Sequence, residues 1–157
     1  QNHYEDPALG VSNQTLMIWN NIRALDYLQS LPEVDKGRIG ATACSGGGLQ
    51  VQMLIAVDQR VKAATIVGMT CDYREIAFAG AAHCGCNHFP NIMRFTDEPE
   101  LSVLGLPCAV QYLTMNDWTR SFEAGSYPTI RKLYEANGLA GRTDCKYWPT
   151  GHDYAQP

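Results

Sequence analysis

Apolar positions in this chain fall alternately into spaced stripes and short continuous runs. From Thr15 onward, Ile18, Ile22, Leu25 and Leu28 recur at helical spacing, which predicts a helix with one buried face. Ser12 or Asn13 can cap its start, and Pro32 stops it before the turn Asp35-Lys36-Gly37. Residues 38–43 form a short, largely apolar run and predict a strand. Residues 46–57 predict a helix with Leu49, Met53 and Ala56 on one face, and Asp58-Gln59-Arg60 then turns into a second strand at 61–67. A short helix is expected at 73–79. Another opens at Asp97-Glu98-Pro99 and ends near Gly105, with Pro99 suited to its first turn. A third strand spans 108–115 and a fourth 144–148. Between them lies a helix at 122–137, with Ile130, Leu133 and Tyr134 as its apolar face and Gly138 as its stop.

Strands that alternate with helices imply a parallel sheet flanked by helices, with right-handed crossovers: an α/β class. In such sheets, ligands sit outside the carboxyl ends of the strands. Ser45 follows the first strand, Asp117 the third and His152 the fourth. Three chemically complementary groups are therefore expected on one edge.

The stretch Ile39-Gly40-Ala41-Thr42-Ala43-Cys44-Ser45-Gly46-Gly47-Gly48 is a strand, a sharp turn and a helix start, with the serine on the turn. A serine hydroxyl becomes a nucleophile when a base takes its proton. Histidine suits that task, and a carboxylate fixes the tautomer of its ring. This assigns Ser45 as nucleophile, His152 as base and Asp117 as orienting acid, in the chain order Ser, Asp, His. The N–H of Gly46, at the helix N-terminus, is the expected oxyanion donor. The turn reads Ala43-Cys44-Ser45-Gly46-Gly47, so alanine stands where G-x-S-x-G has its first glycine. Helix and strand approach closely there, and a small residue is what the position needs. A phosphate-loop reading of the same glycines lacks the G-K-[ST] and G-x-G-x-x-G spacings. Asp144 and Asp153 are rivals to Asp117, which is preferred because it ends a strand.

Composition narrows the partners. The 157 residues are 45% hydrophobic and 18% charged, enough apolar material for a buried core, and the net charge of -4 gives no basic footprint for nucleic acid. No apolar run approaches the length of a membrane span. The six cysteines are too sparse for a disulfide scaffold, although one or two bridges are compatible with them. Cys44 and Cys108 lie in apolar strand surroundings suited to free thiols. The cluster His83-Cys84-Gly85-Cys86-Asn87-His88 offers soft ligands, but the usual second ligand pair for zinc is missing, so a disulfide or a packed loop is the preferred reading.

The chain resembles the C-terminal half of an α/β-hydrolase, of the acetyl-xylan-esterase-like and dienelactone-hydrolase-like serine esterases. The resemblance rests on Pro32-Glu33-Val34-Asp35 with Arg38-Ile39-Gly40, on Ser45-Gly46-Gly47-Gly48, on Asp58-Gln59-Arg60-Val61-Lys62-Ala63-Ala64, on His83-Cys84-Gly85-Cys86-Asn87, and on Asp117 and Gly151-His152. It implies a sheet of eight strands, of which residues 1–157 supply the last four, with the earlier strands and the second oxyanion loop outside this chain. The first strand would then have an open edge, expected to pair with a second chain or to be covered by oligomerisation. The resemblance also implies a serine ester hydrolase acting on small acyl esters of carbohydrate, without cofactor or metal. Cys44, Trp118 and His83 are expected around the substrate pocket, and the location expected is secreted or periplasmic. A prolyl-oligopeptidase-type peptidase and a non-catalytic assembly subunit are the alternatives.

Overall fold

The computed structural model describes residues 11–78 and 91–152. Four parallel strands form one sheet in the order β1-β2-β3-β4: β1 (Ile39–Cys44), β2 (Val61–Val67), β3 (Ala109–Thr114) and β4 (Thr143–Tyr147). The expected strand bounds hold to within one residue. Register aligns the strand ends: Cys44 pairs with Val67, Val67 with Leu113, and Thr114 with Tyr147. The C-terminal ends of all four strands thus lie along one edge. Among the described residues, β1 pairs with β2 alone.

The helices are α1 (Asn13–Ser30), α2 (Gly46–Val57), α3 (Tyr73–Phe78), α4 (Glu98–Leu101) and α5 (Tyr127–Ala136). Ser12 caps α1, its hydroxyl accepting from the Thr15 N–H at 3.2 Å. The predicted apolar face of α1 is only partly buried. Leu25 is in the core, Ile18 and Ile22 are half-buried, and Leu28 is exposed. The remainder of that side opens on an apolar groove walled by Leu16, Ile18, Trp19, Ile22, Met53 and Val57. A polar ladder secures the rest of the α1–α2 contact: the Gln50 amide donates to buried Gln14, and Asn21 donates to Gln50 at 3.4 Å.

Helix α2 departs from the one-faced pattern expected of it. Gly48, Leu49, Gln50, Val51, Gln52, Leu54 and Ile55 are all buried, because α2 is covered by β1 and β2, by α1, and by the short 3₁₀ turn Ser102–Gly105. After α2, Arg60 donates from Nε to Asp58 at 2.9 Å and from Nη1 to Asp26 of α1 at 2.6 Å. The guanidinium holds the Asp58 carboxyl below the usual carboxylate range. The Asp58-Gln59-Arg60 segment is thus a clamp between the turn and α1.

The helix expected at 122–137 is two elements, a 3₁₀ helix at Trp118–Glu123 and then α5. The Gly125 N–H returns to the Ser121 carbonyl at 2.9 Å and closes the first, and Pro128 has no N–H to continue it, so it serves only at the start of the second. Ile130 and Tyr134 are buried, whereas Leu133 faces outward, 38% exposed. Between sheet and α5 the core is aromatic, with the rings of Tyr112 and Phe122 centred 4.9 Å apart.

Asp97 caps α4 in a capping box with Glu100, as the Asp-Glu-Pro start leads one to expect. The next residue is a surprise. Glu98 is completely buried, and neither carboxyl oxygen has a hydrogen-bond partner. Burial, together with the charges of Asp97 and Asp72, pushes its titration well above the ordinary carboxylate range. A carboxyl raised in the folded state adds stability below its unfolded value and loses it as pH rises toward the folded one. Urea midpoints of Glu98→Gln are therefore expected to fall less from mildly acidic to mildly alkaline pH than those of the wild type. Parallel pH slopes for the two proteins would refute this.

Candidate active site

The turn at Ser45 follows directly from its neighbours. Ser45 has φ 57 and ψ −134, one of two non-glycine residues with positive φ among those described. Such a backbone costs about 1–3 kcal/mol and is kept where surrounding contacts enforce it. Here the Ser45 N–H is bonded to the Val67 carbonyl at 2.9 Å, and the Ser45 carbonyl accepts from Leu49 at 3.2 Å. The end of β2 and the first turn of α2 thus hold the serine from both sides. Its hydroxyl caps no backbone N–H. At Gly47 an added Cβ would lie 2.9 Å from the Ala43 Cβ, which explains why both positions are small. Gly46 is the first residue of α2, where backbone N–H groups lack helical acceptors.

Asp117 follows β3 and caps the 3₁₀ helix behind it. Its Oδ1 accepts from the Thr119 N–H at 2.8 Å and from the Thr119 hydroxyl at 2.5 Å. Its Oδ2 lies 2.8 Å from His152 Nδ1. The carboxylate side chain is 5% exposed and the imidazole 29%, so the pair is sheltered at the acid and open at the base. Thr119 is itself buried, and its hydroxyl oxygen accepts from the Met115 N–H at 3.2 Å. Nothing about the periodicity pointed to Thr119; the only local signal is the Asp-x-Thr spacing of a cap.

His152 reaches this place on a loop stitched to the end of β3. The Trp148 N–H bonds to Thr114 at 2.8 Å and the Asn116 N–H to Thr150 at 2.9 Å. Gly68, just past β2, lies beneath the ring. It has φ +55, and an added Cβ would come within 2.9 Å of Met115 Sδ and 3.3 Å of His152 Nδ1. Its N–H bonds to Leu113 at 2.8 Å. Since Ser45 is bonded to Val67 and Gly68 touches His152, the serine turn and the Asp–His pair occupy one end of the sheet. With His152 acting as a base, Gly68→Ala is expected to lower kcat by about 10²-fold through a displaced imidazole. The left-handed backbone itself adds about 1–2 kcal/mol of destabilisation. Wild-type kcat in a folded Gly68→Ala protein would count against that role for the glycine.

The other sequence candidates are placed as follows. Asp144 accepts from Gln111 at 3.2 Å and pairs with Lys146 at 3.5 Å, on β4 rather than at the histidine. Asp153 lies outside the described residues, as do His83, Cys84, Cys86 and His88. Cys44 closes β1 beside Ser45, half-buried, and Cys71 and Cys108 are fully buried. Cys71, Cys108 and Cys145 are free thiols. Burial pushes Cys108 up to about 11 and Cys145 up to about 12, which keeps both protonated and poor nucleophiles near neutrality. Trp118 packs on the histidine, ring centroids 4.5 Å apart at 36°.

A serine on a strained strand-to-helix turn of a parallel sheet is the arrangement of the α/β-hydrolase nucleophile elbow. The fold is that of the α/β-hydrolase esterases, as comparison with solved structures bears out. The methylesterase BT1017 superposes with a TM-score of 0.76 and 25% identity, over 91% of this chain and 32% of its own. A Bacteroides fragilis NCTC 9343 protein classed as an acetyl xylan esterase superposes with a TM-score of 0.78 and 15% identity, over 97% and 40%. The glucuronoyl esterase catalytic domain of Hypocrea jecorina superposes with a TM-score of 0.73 and 17% identity, over 92% and 47%. This chain therefore spans between a third and a half of those structures. In sequence, 47 residues are 43% identical to YtaP of Bacillus subtilis (strain 168), classed as a hydrolase, a match over 30% of this chain and 16% of that protein. No protein-family model matches.

Proposed function

We propose that this chain carries the nucleophile, base and acid of a serine ester hydrolase. The observation that carries the reading is the 2.8 Å contact of His152 Nδ1 with Asp117 Oδ2, at the sheet end where Ser45 sits at φ 57. Asp117 fixes the ring with its proton on Nδ1, which leaves Nε2 free to take the Ser45 proton. Ser45 Oγ attacks the ester carbonyl, and the Gly46 N–H donates to the resulting oxyanion. The intermediate collapses, His152 returns its proton to the leaving alcohol, and Ser45 keeps the acyl group. Water then attacks, with His152 as base again, and the acid product leaves.

The substrate class proposed is an ester on a carbohydrate, because the structural neighbours are esterases named for glucuronoyl and acetyl xylan substrates. A second oxyanion donor is proposed to come from a segment docked on the β1 edge that has no strand partner among the described residues, in this polypeptide or another. A monomeric preparation of these 157 residues with full activity would contradict that part.

A fluorophosphonate probe tests the reading. Labelling of Ser45 that disappears in Ser45→Ala is the expected result. An intact assembly whose Ser45 stays unlabelled would instead favour a non-catalytic subunit, the reading suggested by the β1 edge left unpaired among the described residues and by the apolar groove on α1.

A further inference from the structure

We infer that Trp118 is a positioning residue for His152, and that its indole face holds the imidazolium through a cation–π contact while the ring carries the serine proton. The inference deepens the reading of His152 as base and rests on it. The two rings lie 4.5 Å apart between centroids, inclined at 36°, within the range over which an aromatic face attracts a cation. One short turn supplies both restraints. Asp117 takes the imidazole edge at Nδ1, and Trp118, the next residue, meets the ring itself.

The turn is fixed from behind. Asp117 Oδ1 is held by Thr119, the Ser121 hydroxyl donates to the Trp118 carbonyl at 3.1 Å, and the indole packs against the hydrophobic core. Gly68 completes the seat, since a side chain there would press on Nδ1. An indole in this position acts mainly when the base is charged. The ring is neutral in the ground state and cationic in the transition state. The contact therefore belongs to kcat rather than to substrate binding.

Steady-state kinetics of three variants, with a fluorescence measurement beside them, test this. Trp118→Leu keeps an apolar side chain and removes the π face. It is expected to lower kcat about 10-fold with KM unchanged, and Trp118→Phe and Trp118→Tyr are expected to restore most of the loss. A Trp118→Leu protein with raised KM and wild-type kcat would overturn the inference and make Trp118 a substrate wall. Equal losses in Leu, Phe and Tyr would overturn it as well, since the π face would then not matter.

The second readout needs no turnover. The chain has three tryptophans, and Trp19→Phe with Trp148→Phe leaves Trp118 as the sole tryptophan, excited apart from the tyrosines at the red edge of the absorption band. An imidazolium resting on an indole quenches its emission. Charging of His152 by added acid is expected to dim Trp118, and the dimming is expected to vanish in His152→Gln. Dimming that is absent, or equal in both backgrounds, would show that the charged ring leaves the indole. Failure of the esterase reading leaves this optical result standing, so the two are told apart.

Discussion

Ser45→Ala is expected to lower kcat on a simple activated ester by on the order of 10⁶-fold while leaving the melting temperature within a degree or so of the wild type. The size follows from what the hydroxyl does. In the proposed mechanism it supplies the attacking atom, and Cys71, Cys108 and Cys145 are poor substitutes because burial pushes each thiol up and holds it protonated. The stability follows from the backbone. The strained turn is enforced by the Ser45 N–H bond to Val67 and the Leu49 bond to the Ser45 carbonyl, neither of which uses the side chain. Stopped-flow kinetics and a thermal melt on the same preparation check both halves. Retention of more than a hundredth of wild-type kcat would remove Ser45 from the mechanism.

The second large effect is at the acid. Asp117→Asn is expected to cost about 10⁴-fold in kcat with little change in KM. The Thr119 N–H and hydroxyl would still hold the amide oxygen, so the Asn Nδ2 would face His152 Nδ1. Nδ1 must then accept, its proton moves to Nε2, and the base that should receive the Ser45 proton already carries one. A loss smaller than tenfold would place the orienting carboxylate elsewhere. The same substitution separates Asp117 from Asp144, whose replacement should leave kcat close to wild type because it serves Gln111 and Lys146.

The two effects rest on information of different reach. The Ser45 turn is a local event. An apolar strand, one serine and three glycines suffice to read it, and β2 and α2 have the bounds their patterns predict. Small side chains at Ala43 and Gly47 meet because consecutive elements must pack where they join. Period-2 and period-3.6 patterns report this kind of contact well.

Other features needed the fold. The chain breaks at 124–126 because a glycine closes one helix and a proline opens the next, and periodicity alone runs across that break. Leu28 and Leu133 sit at helical spacing yet are exposed, because α1 is covered mainly by α2 and α5 meets the sheet at β4, which leaves part of each apolar side uncovered. Glu98 was legible as a helix-start residue; its complete burial arises from the packing of α4 against α2, α5 and the Ser102–Gly105 turn.

By itself, then, the order of apolar runs determined an α/β architecture, its parallel strands and the serine turn, since each depends on residues near in sequence. Tertiary structure alone decided that Thr119 braces Asp117, which its place at a strand end had already favoured over its rivals, and that Gly68 and Trp118 lie against the His152 ring. Those residues come from the ends of β2, β3 and β4, far apart along the chain, and only the register of neighbouring strands brings them within 3–5 Å of one another.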